Sequence, residues 1–182
     1  MQFYIETDRL ILRDILDSDL EGMFQLDSNP IVHKYLGNKP VKTRKEIKDV
    51  IAFIQQQYKE RGIGRWAAIE KSSGDFIGWS GLKLNMKDEE LNNKVNFYDV
   101  GYRFIPRYWG KKYATESALA ALEYGFNTMN LKTIVGAAEE ENIASNKVLQ
   151  KIGLKYINHF FVDGVTALWY ELKKEEYEKT MS

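Results

Sequence analysis

Two stretches of this 182-residue chain hold residue types that could do chemistry together. The first runs Asp99-Val-Gly-Tyr102-Arg-Phe104-Ile105-Pro106-Arg-Tyr-Trp109-Gly110-Lys111-Lys112-Tyr113-Ala114-Thr115-Glu116. An apolar strand is stopped by a proline, a turn with one glycine and two lysines follows, and an alanine-rich helix begins. A helix start presents unpaired N–H groups and a partial positive charge, so it is a natural seat for a phosphate. Lys111 and Lys112 add cationic charge. The turn is neither a Walker A loop nor a GxGxxG dinucleotide fingerprint. The second stretch is Asn142-x-x-Ser145-x-x-Val148-Leu149-x-Lys151-x-Gly153-Leu154. Asn142, Ser145 and Leu149 fall at i, i+3 and i+7, on one face of a helix. Each position in that stretch also has a purely structural use. Asn142 can cap the helix, Val148 and Ile152 can face a core, Lys151 complements the helix C-terminus, and Gly153 can close it.

The elements that must position these stretches are legible in outline. Residues 5–13 read as a first strand. Ser18-x-x-Glu21 and Thr43-x-x-Glu46 are capping-box patterns that open helices. After the second, Ile47, Val50, Ile51, Ile54 and Tyr58 follow the 3.6-residue period as far as Gly62. A short helical piece between them runs from Asn29-Pro30 to about Gly37. Residues 65–71 and 76–84 read as strands joined by a Ser-Ser-Gly-Asp turn. Residues 95–105 are the longest strand candidate. A helix starts near Lys112, with Ala114, Ala118, Ala121, Leu122 and Gly125 on one face for close approach to a sheet. Residues 133–138 form a continuously apolar strand, as a central one should be. Residues 142–152 form a helix. Residues 156–162 and 165–172 flank the hairpin signal Asp163-Gly164. The expected fold class is a mixed α/β sheet, antiparallel in its middle, with βα units after it, in a single domain over residues 1–182.

Composition bounds the rest. Lys+Arg and Asp+Glu both number 26, so the net charge is zero, which argues against non-specific binding to nucleic acid or an anionic membrane. There is no Cys and there are two His, which excludes a thiol nucleophile and any Cys-based zinc site; no metal is expected. Glu6, Asp8, Arg9 and Arg13 break any signal-peptide apolar run, no stretch approaches 18 apolar residues, and the expected location is cytoplasmic. Monomer and homodimer both stay open.

Taken together, in this order and at this separation, the segments resemble the GNAT superfamily of acetyl-CoA-dependent N-acetyltransferases. The superfamily pattern Gln/Arg-x-x-Gly-x-Gly/Ala maps to Trp109-x-x-Lys112-x-Ala114. The chain also resembles the ribosomal-protein N-terminal acetyltransferases, which typically read Trp-Gly-x-Gly-Tyr-Ala-Thr-Glu where this chain reads Trp109-Gly-Lys-Lys112-Tyr-Ala-Thr-Glu116. Glu6-Thr-Asp-Arg-Leu-Ile-Leu-Arg13, Asn29-Pro30-x-Val32, Val100-Gly-Tyr102 and the Asn142…Ser145…Gly153-Leu154 block also resemble that group. The resemblance spans nearly the whole chain. It implies a central, mostly antiparallel sheet splayed at the cofactor site, with helices on both faces. It implies that acetyl-CoA lies on Tyr102, Phe104, Ile105, Trp109, Gly110, Lys111, Lys112, Tyr113, Ala114, Thr115, Asn142, Ser145 and Leu149. In the family the long strand carries a bulge and splays from its neighbour, and the pantetheine pairs with its edge. Here that edge is residues 102–105, with a free N–H at Phe104 or Ile105 facing the thioester carbonyl.

The chain departs from the family at two positions. Lys112 stands where the loop has its second glycine; in helical φ/ψ it could still present its N–H. Leu149 stands where many members carry a tyrosine that protonates the departing thiolate, which leaves Ser145, one turn earlier, as the expected proton donor. Asp99 is the expected general base, with Tyr98, His33 and Glu70 as weaker candidates; His159 is read as structural. The acidic run Glu139-Glu140-Glu141 reads as a solvated helix entrance that could attract a cationic acceptor. The expected reaction is acetyl transfer to a primary amine, with a peptide or protein N-terminal α-amino group preferred. Acetylation of a polyamine or aminoglycoside, and a CoA-binding module without catalysis, are the alternatives.

Overall fold

The computed structural model describes residues 3–181. Its strands are β1 (Tyr4–Glu6), β2 (Leu10–Asp14), β3 (Trp66–Glu70), β4 (Phe76–Asn85), β5 (Phe97–Phe104), β6 (Thr133–Glu139), β7 (Lys155–Val162) and β8 (Val165–Lys173). Its helices are α1 (Leu20–Asp27), α2 (Arg44–Arg61), α3 (Tyr113–Glu123), α4 (Ile143–Lys151) and α5 (Lys174–Met181). The eight strands form one sheet in the order β1-β2-β3-β4-β5-β6-β8-β7. Neighbours are antiparallel except β5 and β6, which run parallel.

Strand alternation divides the core between the two faces. On β3, Trp66 and Ala68 join a large cluster with Val100, Phe104, Ala118, Ala121, Leu122 and Phe126. Ala67 and Ile69 point the other way, into a smaller cluster with Met23, Ile47, Ile51 and Ile54. Helices therefore cover both faces, as expected. The small-residue face of α3 lies flat on the sheet: Ala118, Ala121 and Leu122 are fully buried. A Cβ on Gly125 would stand 2.7 Å from Ile134 Cδ1 and 2.8 Å from Leu82 Cδ1.

Several local expectations hold and several are corrected. The Thr43 capping box forms, with Glu46 N–H on Thr43 Oγ1 at 3.3 Å and Thr43 N–H on Glu46 Oε2 at 2.7 Å. Gly62 ends α2 at φ 68°. The first strand is instead a hairpin, because Thr7 turns the chain: its N–H and Oγ1 both bond Leu10, whose own N–H returns to Thr7 Oγ1 at 3.0 Å. The first helical entrance is organised by Asp19 rather than Ser18; Asp19 accepts Leu16 N–H at 2.8 Å and both Arg13 guanidinium nitrogens. The long strand begins at Phe97, since Asn96 sits at φ 55°. α3 runs on into a π turn at Tyr124–Thr128, and α5 was not foreseen.

The site is set by one irregularity of pairing. β4 and β5 pair without a break from Asn85–Phe97 to Gly78–Phe104. β5 and β6 meet at a single register position, Asp99 opposite Val135. Beyond it the two strands diverge towards their C-terminal ends. The splay is present, but β5 carries no bulge against β4: the opening comes from the short β5–β6 ladder.

Candidate active site

The splay opens into a cavity of about 1050 Å³. Its walls are the free half of β5, the turn between β5 and α3, the end of β6 and the first turns of α4. Tyr102, Phe104, Trp109, Gly110, Lys112, Tyr113, Ala114, Thr115, Asn142, Ser145 and Leu149 all line it, so the two stretches singled out in the sequence converge on one space. Ile105 and Lys111 are not among its lining residues.

The turn before α3 has the backbone of an anion cradle. Gly110 and Lys112 are both left-handed, at φ 75° and 67°, and Lys112 is the N-cap of α3. Lys112 is thus outside the helical region expected for it. Successive residues that alternate in hand turn their N–H groups to one side, and the helix start adds its own. The left-handed geometry also explains why a glycine suits this position. The cradle is braced from behind. Glu116, in the first turns of α3, accepts Thr7 Oγ1 at 2.6 Å, Arg9 N–H at 2.9 Å and Arg9 Nε at 2.7 Å. Burial pushes the Glu116 carboxyl up, but these bonds outweigh it and hold the group below the usual carboxylate range. Tyr113 donates to Glu70 at 2.5 Å and carries the Arg9 guanidinium over its ring. Glu70 is therefore a brace and does not line the cavity.

On β5, the expected free N–H is narrowed to one residue. Ile105 N–H is not free: it donates to Ile77 O on β4 at 2.9 Å. Strand alternation turns Phe104 and Tyr102 the opposite way, towards the open side. Trp109 closes the end of this edge by donating its Nε1 to Phe104 O at 2.7 Å. The remaining edge is the N–H of Phe104 and the backbone of Tyr102.

The α4 wall is fixed by hydrogen bonds at its entrance. Asn142 caps the helix, accepting Ser145 N–H at 3.2 Å. The buried Asn146, which the sequence did not single out, gives Nδ2 to the carbonyls of Glu139, Glu140 and Asn142 and takes a hydrogen bond from Tyr170. Ser145 Oγ lies 3.2 Å from Tyr102 Oη, which also donates to Ser145 O at 3.0 Å. Leu149 is fully packed at the base of the cleft, filling the space left by Gly136.

The opposite wall was largely missed by sequence reasoning. It contains Arg65, Trp79 and Arg103, with Ile31, Tyr35 and Leu36 from the segment before α2. Both guanidiniums stack on the Trp79 ring, 5.6 and 4.9 Å from its centroid. Asp99 lines the cavity, but its carboxylate is already held by Arg65 and by Asn85 Nδ2 at 2.8 Å. Arg103 donates to the buried Asp27 at 2.6 Å. His33 sits behind this pair, with Nε2 3.8 Å from Asp27 and both ring nitrogens without a hydrogen bond among the described residues. Burial, and then the nearby Arg103, hold its imidazole below the ordinary range. Neither His33 nor Tyr98 lines the cavity, and His159 is on the surface of β7 beside Tyr156. The only signal for the arginine wall was the period-2 placement of Asp99 and Arg103 on one face of β5.

Among the described residues, no group of three or more His, Asp or Glu side chains is arranged to hold a metal ion, and no helix is long and apolar enough to cross a membrane. A family profile described as an acetyltransferase (GNAT) domain matches residues 9–155. The chain is 31% identical over 151 residues to an uncharacterized N-acetyltransferase, YoaA, of Bacillus subtilis, covering 83% of this chain and 82% of that one. Among solved structures, it superposes on a spermidine N-acetyltransferase from Vibrio cholerae, in complex with CoA and spermine, with TM-score 0.74 and 20% identity, over 94% of this chain and 99% of that one. It superposes equally on a ribosomal-protein-S5-alanine acetyltransferase from Vibrio fischeri, with TM-score 0.75 and 16% identity, over 95% and 97%. The two neighbours act on different amines, so the fold does not select between acceptors.

Proposed function

Since the chain belongs to the GNAT acetyltransferase family and acts as an acetyl-CoA-dependent N-acetyltransferase, we propose that its acceptor is the α-amino group of a peptide or protein. The observation that carries this choice is the shortage of free carboxylates on the acceptor wall. Arg65 and Arg103 line it beside Lys34, and each guanidinium is paired with a carboxylate, Asp99 and Asp27 respectively. Of the carboxylates on the cavity, Asp99 is taken up by Arg65, and only Glu139 is left without an ion pair among the described residues. A polyamine carries several cations and needs several such carboxylates. A peptide N-terminus brings one amine, followed by carbonyl oxygens that a guanidinium can bind, and its first side chain suits the apolar surface of Ile31, Tyr35 and Leu36.

The chemistry agrees. An α-amino group has a pKa of about 7.7–8.0, against about 10.4 for a lysine side chain. Near pH 7.4 roughly a third of α-amines are neutral, but only about one lysine in a thousand. A wall without a free histidine or free carboxylate at its centre suits the amine that needs least help. In this reading the cradle at 110–115 binds the pyrophosphate through backbone N–H groups, Phe104 N–H polarises the thioester carbonyl, Ser145 donates to the departing sulfur, and water leading to Asp99 carries off the amine's last proton.

Arg103 supplies the test. Arg103→Lys keeps a cation opposite Asp27 but removes the planar fork. The KM for a peptide acceptor should rise several-fold while the KM for acetyl-CoA stays the same. An unchanged peptide KM would remove the arginine wall from acceptor binding.

A further inference from the structure

Leu149 leaves α4 without the tyrosine that the family pattern places on that face, yet a phenol reaches the same face from another element. Tyr102, on the open half of β5, spans the cleft and meets α4 at Ser145. We propose that Tyr102 is the positioning residue for Ser145: it holds the serine hydroxyl aimed at the leaving sulfur, so that a β5–α4 pair does what a single α4 tyrosine would do.

The geometry supports this in three ways. Both side chains line the cavity, together with Val148, Leu149 and Ala138. Ser145 Oγ and Tyr102 Oη are 3.2 Å apart, and either can donate. The phenol has one hydrogen: given to Ser145 O, it leaves Oη to accept from the serine, and given to Oγ instead, it frees the serine's own hydrogen to point into the cleft. A helical serine otherwise tends to return its hydrogen to a carbonyl of the preceding turn; Tyr102 offers a competing partner that fixes the rotamer. Burial pushes the phenol well above its ordinary range, and the bond to Ser145 only partly offsets this. Tyr102 therefore stays protonated and serves as a hydrogen-bond donor, losing no proton of its own. The transfer draws no proton from it: the amine nitrogen forms the C–N bond, the C–S bond breaks with its electron pair going to sulfur, Ser145 O–H donates a hydrogen bond to that charge, and the nitrogen's last proton leaves through the water leading to Asp99.

This inference rests on Ser145 acting on the sulfur, and a double-mutant cycle separates the two claims. Turnover and CoA affinity are measured for Tyr102→Phe, Ser145→Ala and the double variant, with a peptide acceptor at saturation. Ser145→Ala should lower kcat by about 10²–10⁴-fold. Tyr102→Phe should lower kcat by about tenfold, a fraction of that effect, and leave CoA affinity within about twofold. The double variant should be no slower than Ser145→Ala, because the phenol acts only through the serine. A Tyr102→Phe enzyme with full kcat, or losses that multiply in the double variant, would overturn the positioning role while leaving Ser145 standing. Full kcat in Ser145→Ala would overturn both.

Discussion

Lys112 is the residue at which the sequence and the backbone are most at odds. Its φ of 67° is one that a side chain with a Cβ adopts at a cost of about 1–2 kcal/mol. Lys112→Gly relieves that strain but frees the unfolded chain, which returns about 0.4–1 kcal/mol of it. The variant should be more stable by about 0.5–1 kcal/mol, a rise in Tm of about 1–4 °C, while Lys112→Ala should show no such gain. Thermal unfolding of the pair checks this; an equal rise in both would mean that the charge, and not the conformation, is what destabilises. Asp99 carries the opposite lesson. Its place on the cleft was legible, but its partner Arg65 lies 34 positions away, just before β3, and nothing in local spacing announces an ion pair across that distance. The same holds for the Tyr102–Ser145 contact, which joins a strand to a helix across 43 positions.

Among the elements, the β5–α3 turn is the most informative. If its backbone holds the pyrophosphate, Lys111→Ala should weaken CoA binding only a few-fold. Ala114→Pro, in the first turn of α3, should weaken it far more, by removing an N–H and disturbing that turn. Titration calorimetry would show it, and a reversed order would contradict the cradle. The brace behind the turn has its own signature. Against the opposing effect of burial, Thr7 and Arg9 hold Glu116 below the usual carboxylate range, so its contribution to stability is full above about pH 5 and is lost as pH falls through the lower, folded value. Glu116→Gln should cost about 1–2 kcal/mol near neutrality and flatten the acid limb of the stability curve. A parallel acid limb in wild type and variant would remove Glu116 from it. Elements with a strong period or cap were readable in advance, as with α2 between its Thr43 box and Gly62. Those that were not are the ones whose cause is tertiary. The β1–β2 turn depends on Thr7 binding α3 through Glu116. α5 is a polar segment whose anchor, Tyr177, stacks on Phe126 with centroids 4.8 Å apart.

At the scale of the whole molecule, the function follows from a sheet that stops pairing at Asp99–Val135. In the proposed reading, the divergence offers the cofactor an edge on one side and exposes an arginine-lined wall on the other. The order of elements made a mixed sheet with helices on both faces legible. The acceptor wall was not, since Trp79 and Arg103 come from two strands and Arg65 from the residue just before β3, and they meet only through the register β3–β4–β5. That wall is where the account is most exposed to test. The measurement is kcat/KM at saturating acetyl-CoA for peptides beginning with Ala or Ser, set against spermidine and an aminoglycoside under the same conditions. The arginine-lined acceptor wall predicts that the best peptide exceeds both small amines. A small amine turned over a hundredfold better than every peptide would contradict it.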